Sequence, residues 1–175
     1  MTALRRAQWY GYGLGFEPVT YFDGGDAAFQ ETLYDALRSR VDAARSRKTM
    51  LEMALDTAAT GIVGSELRVG VRITTLDTLV DDIDGLMLVA VVFQDSVTRV
   101  RFGSTDTSYV PIAADIIGGP WGVPVRLRYA TELDTVLATP YRGWRQDRLG
   151  VAVFVQDTAT RAVMQTVVTR KLARE

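Results

Sequence analysis

Any chemistry in this chain must come from oxygen, amine and guanidinium groups, because its 175 residues include neither histidine nor cysteine. That removes imidazole and thiolate nucleophiles, general bases and metal ligands, together with disulfides, CxxC redox exchange and every serine–histidine triad. Carboxylates remain. Gln94-Asp95, Gln156-Asp157 and Glu132 are the groups that a carboxylate-dependent hydrolase would use, one as acid and another as base or nucleophile. Such groups must converge in one cleft. The plainer reading makes each Gln-Asp pair the opening of a hairpin turn, since an aspartate in the first turn position accepts backbone amides two residues on.

A second acidic cluster, Asp77, Asp81, Asp82 and Asp84, is a candidate calcium loop, because hard cations take several carboxylate oxygens. It is not an EF-hand. Asp82-Ile83-Asp84-Gly85 matches the middle of that loop, but its first ligand position would be Val80 and its twelfth Val91. A solvated turn that blunts a sheet edge is the alternative. No other metal or cofactor site is expected. Gly11-Tyr12-Gly13-Leu14-Gly15 lacks the strand before it and the helix after it that a dinucleotide cradle requires.

Trp121, Tyr141, Arg142, Trp144 and Arg145 form a candidate contact surface, since Trp, Tyr and Arg are enriched where proteins meet. The same aromatics could instead cover the open end of a sandwich. Twenty basic against twenty-one acidic residues leave a net charge of −1, too balanced for a general nucleic-acid binder. No apolar run approaches the roughly 20 residues of a membrane-spanning helix, and no signal peptide is visible.

The elements that must position these residues change character near residue 48. Before it, Asp26 is placed to cap a helix beginning at Ala27, and Phe29, Leu33, Leu37 and Val41 recur on one face of a helix over 26–46. Arg45, Arg47 and Lys48 then complement the negative end of its dipole. After it, the period is two. Strands are expected near 50–57, 65–75, 86–95, 98–103, 123–130, 149–156 and 161–170. Their inward residues are expected to include Leu67, Val69, Val71, Val89, Val91, Phe93, Val151, Val153 and Val163. Seven short strands with little helix between them imply a mainly β fold, an antiparallel sandwich of immunoglobulin or fibronectin type III kind. Val89 to Arg99 is echoed by Val151 to Arg161, as if both were strand, Asp turn and return strand.

The segment Trp9-Tyr10-Gly11, followed by Gly15-Phe16-Glu17-Pro18-Val19-Thr20-Tyr21-Phe22-Asp23-Gly24, resembles the strand after the active site of thioredoxin-like proteins. The resemblance implies that Pro18 is a cis proline and that 26–46 is the closing helix. The rest is similar to the sandwich appended to such a domain in the Bacteroidetes outer-membrane proteins named for their twenty-eight-kilodalton mass. Phe93-Gln94-Asp95, Gly118-Gly119-Pro120-Trp121-Gly122 and the run Phe154 to Gln165 carry that likeness. It implies residues 1–47 as a truncated thioredoxin-like segment (helix tail at 2–8, strand at 19–22, helix) and 48–175 as the sandwich. It further implies an extracytoplasmic home in periplasm, outer membrane or cell surface, the chain being a fragment of a longer product. Without cysteine, no thiol–disulfide activity transfers. Two functions are expected to compete: a non-catalytic envelope binding or scaffold module, and a carboxylate-dependent hydrolase. For the first, the partner is another protein, or a second copy meeting through residues 1–47.

Overall fold

The computed structural model describes residues 19–22, 26–29, 34–100 and 107–172. The helix tail at 2–8, the glycines at 11–15 and Pro18 lie outside them.

A short hairpin comes first. β1 (Val19–Phe22) pairs antiparallel with β2 (Asp26–Phe29), Phe22 standing opposite Asp26. Asp26 therefore opens a strand and does not cap a helix, and Phe29 belongs to that strand. The physical reason is that the second strand satisfies backbone groups that β1 alone would leave open. The helix, α1, is shorter than its apolar spacing implied and spans Tyr34–Arg45. It ends where Ser46 and Arg47 donate their amides back to the carbonyls of Asp42 and Ala44.

From residue 51 the chain builds two antiparallel sheets. The smaller has the order β3 (Leu51–Val63), β4 (Glu66–Thr75), β8 (Glu132–Pro140). The larger runs β10 (Val163–Thr169), β9 (Leu149–Asp157), β5 (Leu86–Val100), β6 (Thr107–Ile117), with the two-residue β7 (Val123–Pro124) also on β5. Leu67, Val69, Val71, Ile73 and Leu137 of the small sheet meet Leu88, Ala90, Val92, Val151, Val153 and Val155 of the large one in a single core. The fold is an antiparallel β-sandwich.

Two strands lie where loops were expected. β6 contains Pro111, which sits at a register shift on the outer strand of its sheet, where a missing amide does no harm. β8 is likewise an outer strand, and its alternation of Glu132, Asp134 and Val136 outward with Leu133 and Leu137 inward is a plain period of two. Conversely, the strand expected at 123–130 stops after Pro124. Beyond it Asp81 Oδ1 accepts the Tyr129 amide at 2.7 Å, and Ala130 turns at φ 55°.

The phase of β5 also differs. Leu88, Ala90 and Val92 face the core, opposite Val155, Val153 and Val151, so Val91 and Phe93 lie on the outer face and are only half-buried. Val163 is half-buried too. From Leu86 to Phe93 every residue is apolar, so periodicity alone could not fix which set points inward. Phe93 rests on Gly150, which stands directly opposite it; a Cβ there would press on Phe93 Cζ and lie 2.6 Å from its Cε2. Val89 is fully buried on the same outer face, beneath Gly122.

Two polar side chains close the flanks of the sandwich. On β10, Gln165 accepts the Thr166 amide through Oε1 (2.9 Å), and its Nε2 donates to the Leu51 carbonyl (3.1 Å) and Thr49 Oγ1 (3.0 Å). On β6, Asp115 accepts the Ile116 amide (2.9 Å) and the Thr139 hydroxyl (2.8 Å). Each is an inward-facing polar group on an outer strand, a known guard against strand addition.

Candidate functional site

The register of β5 separates the proposed catalytic carboxylates. Asp157 stands opposite Leu86, at one end of the sandwich; Asp95 follows Gln94, which stands opposite Leu149 at the other. Those pairs are eight residue steps apart along β5, about 27 Å at 3.4 Å per residue. Glu132 lies on the other sheet, beside Arg72 (3.3 Å). Asp95 and Asp157 therefore share no cleft, and the hydrolase reading has no support.

Asp157 has a structural task instead. It is 7% exposed, and its carboxylate accepts the amides of Ala159 (2.9 Å) and Thr160 (3.3 Å) and the Thr160 hydroxyl (2.5 Å). This is the expected Asp-opened turn, closed by Arg161 at φ 67°. Its echo fails. Asp95 lies within β5, at a register shift between Gln94 and Val97, and the strand continues to Val100. The β-branched Val97, Thr98 and Val100 favour extension, so the reversal is displaced beyond residue 100.

Two of the four aspartates of 75–85 have separate tasks, and Asp82 and Asp84 are exposed. Asp77 caps the 3₁₀ turn Thr78–Asp82 by accepting the Leu79 amide, and pairs with Lys48 at 2.7 Å. The Lys48 ammonium, then the Leu79 amide, hold the Asp77 carboxyl below the usual carboxylate range, and Asp77 raises Lys48 in return. Asp81 binds the Tyr129 amide. Among the described residues no three acidic side chains converge to hold a metal ion.

The aromatic and arginine group divides in two. Trp121, 43% exposed, lies in the loop after β6, at the end of the sandwich where β5 begins. Tyr141, Arg142, Trp144 and Arg145 occupy the β8–β9 connection at the opposite end, next to the β3–β4 turn, where the Tyr141 amide donates to the Ser65 carbonyl at 2.8 Å. Tyr141 and Trp144 are half-buried against the core, edge to face with centroids 5.9 Å apart, and the Tyr141 hydroxyl donates to the Trp144 carbonyl. That pair is a lid. Arg142 and Arg145 are exposed; Arg145 binds Asp147 at 3.0 Å and holds its carboxyl below the usual range.

A feature that motif reading missed is the contrast between the two outer faces. The small sheet presents Glu52, Asp56, Arg68, Arg72 and Asp134 around the exposed Val136, with Arg72 bonded to Asp134 at 2.9 Å. The large sheet presents Val91, Phe93, Ile116, Ala152, Phe154 and Val168, half-buried or, for Val168, 53% exposed. The signal was available in Leu86 to Phe93, a run apolar on both sides.

No family model matches the chain, and neither does any curated protein. Its fold has a solved counterpart. HBP35 of Porphyromonas gingivalis superposes with a TM-score of 0.71 over 97% of this chain, at 12% identity, and the chain spans 57% of that protein. A domain of the outer membrane lipoprotein Omp28 from the same organism aligns at a TM-score of 0.48 and 14% identity, over 74% of this chain and 93% of that one. The first shows a common fold. The second is too loose a superposition to add to it. No helix among the described residues is long and apolar enough to cross a membrane.

Proposed function

We propose that this chain is a non-catalytic, exported contact module of a bacterial envelope, meeting another protein surface, a second copy included, through the outer face of its large sheet. The observation that carries the reading is the difference between the two sheets. One outer face carries ion pairs around a single exposed valine, Val136, while the other is apolar throughout its centre, with Val91, Ile116 and Ala152 half-buried and Val168 exposed. Contiguous apolar surface of that kind marks interaction sites on soluble domains. The envelope assignment rests on the resemblance of the Trp121 and Phe154 motifs to the outer-membrane family.

The experiment is light scattering on the full chain across a concentration series, with Val168→Asp beside it. Val168 is more than half exposed, so the substitution should leave the melting temperature nearly unchanged. An apolar dye that binds the native protein, or self-association that rises with concentration, should be lost in Val168→Asp. A monomer that binds no dye and is indifferent to the substitution overturns the contact face. Turnover of an ester or glycoside by the purified chain, abolished by Asp95→Asn or Asp157→Asn, overturns the non-catalytic reading.

A further inference from the structure

The outer strands of the sandwich are not equally closed to a further strand. On β10 the Thr166 amide is taken by Gln165. On β6 the Ile116 amide is taken by Asp115, and Pro111 and two register shifts interrupt the pairing. β3 is broken between Asp56 and Gly61. β8 carries none of these devices. Its nine residues pair with β4 without a register shift, and among the described residues no strand lies on its other side. The Tyr141 amide on the Ser65 carbonyl and the Thr75 amide on the Thr131 carbonyl bracket that pairing, so the odd-numbered residues of β8 are the ones bonded to β4. The amides and carbonyls of Glu132, Asp134, Val136 and Ala138 therefore point along the open edge at intervals of about 7 Å, and all four side chains are exposed. We infer that this edge takes up an extended basic peptide as an antiparallel fourth strand, with apolar residues meeting Ala138 and Val136 and cations meeting Asp134 and Glu132.

The charge along the edge selects the occupant. Arg72 is shared between Glu132 (3.3 Å) and Asp134 (2.9 Å), one guanidinium for two carboxylates, and the exposed Glu52 stands across Thr74 from Glu132. Carboxylates are thus in excess at this end. Opposite charges on neighbouring strands attract and like charges repel, so the edge favours a cationic strand and rejects an acidic one. A second copy pairing edge to edge would bring the same excess to its own. The backbone supplies affinity and the alternate side chains supply specificity, as in other strand-addition sites. The edge belongs to the small sheet and does not depend on the contact face of the large one.

The test is fluorescence anisotropy of a labelled nine-residue peptide, the length of β8, titrated with the full chain. The peptide alternates threonine with valine, valine, lysine and lysine, in that order. Saturable binding is expected, about tenfold weaker when glutamates replace the lysines. With peptide bound, amide exchange should slow at Glu132, Asp134, Val136 and Ala138 and stay unchanged at Leu133, Thr135 and Leu137, which already bond β4. Val136→Pro removes an edge amide and no bond to β4, so it should abolish binding. Val168→Asp, on the other sheet, should bind the peptide as the unaltered chain does. Exchange is measured on the unaltered protein and does not depend on how well the proline variant folds. Absence of saturable binding, equal affinity for the glutamate peptide, or protection confined to other strands would each overturn the assignment. So would protection of the same four amides that grows with protein concentration in the absence of peptide, the mark of a second copy.

Discussion

Gly122 and Gly119, three residues apart in one loop, make a matched pair for measuring how closely that loop is held to β5. Both have positive φ, +80° and +84°, so alanine at either site costs about 1–2 kcal/mol in backbone strain. Around Gly119 a new methyl meets nothing within 4 Å. At Gly122 it would press on the Leu88 carbonyl oxygen and lie 2.8 Å from Val89 Cγ2. The obstacle is backbone in the middle of the sheet, which cannot swing aside, and forced overpacking costs about 1–3 kcal/mol. Gly122→Ala should therefore be less stable than Gly119→Ala by about 2 kcal/mol, or about 4–8 °C in melting temperature for a chain of this size. Urea unfolding followed by tryptophan fluorescence reads the difference. Equal losses would mean that the loop lifts away freely and that Val89 is not sealed by it.

Trp144→Ala should cost about 2 kcal/mol, roughly half the loss for a fully buried tryptophan, while Arg142→Ala stays within about 0.5 kcal/mol; thermal melts showing the reverse order would remove the lid assignment. Asp157→Ala should cost about 2–3 kcal/mol, because buried turn amides lose their acceptor, and Asp95→Ala distinctly less; equal losses by chemical denaturation would reinstate two equivalent turns. The Lys48–Asp77 contact should depend on pH in a defined sense. Its Asp77 contribution is complete above the ordinary carboxylate value of 3.8 and lost as the pH falls through the lowered folded value. Its Lys48 contribution is complete below 10.5 and lost as the pH rises through the raised one. Amide exchange at residues 48–50 should therefore be steady, after correction for intrinsic rates, from about pH 4 to 10 and accelerate below it; the same profile in Lys48→Ala would sink the tether.

What the residues disclosed in advance follows the physics of each element. β4 and β9 were legible because each alternates or concentrates its apolar residues between clear turns, and Asp157 marked its turn by the bonds it makes to Ala159 and Thr160. β6 and β8 were hidden because outer strands tolerate Pro111, polar residues and irregular register that read as loop. The phase of β5 was invisible for the opposite reason, an excess of apolar residues on both faces. The hairpin of β1 and β2 was obscured by the spacing of Phe29 and Val41, which imitates one continuous helix. As for the candidate surface, composition grouped Trp121 with Trp144, but nothing in one dimension says that they belong to opposite ends of a sandwich.

The bridges made by Gln165 and Asp115 have a mechanical consequence. Apolar contact between two sheets is non-directional, so a core of valines and leucines resists separation far better than it resists sliding or rotation. Gln165 reaches Leu51 where β5 begins, and Asp115 reaches Thr139, opposite Leu67, toward the other end and on the other flank. Two fasteners on a diagonal fix the angle between two plates, which one fastener, or two on the same flank, would leave free to pivot. Each contributes only on the order of 1 kcal/mol as a hydrogen bond. Their effect belongs less to the depth of the folded state than to its torsional stiffness, and the torsional setting decides how the surfaces at the two ends are presented to whatever meets them.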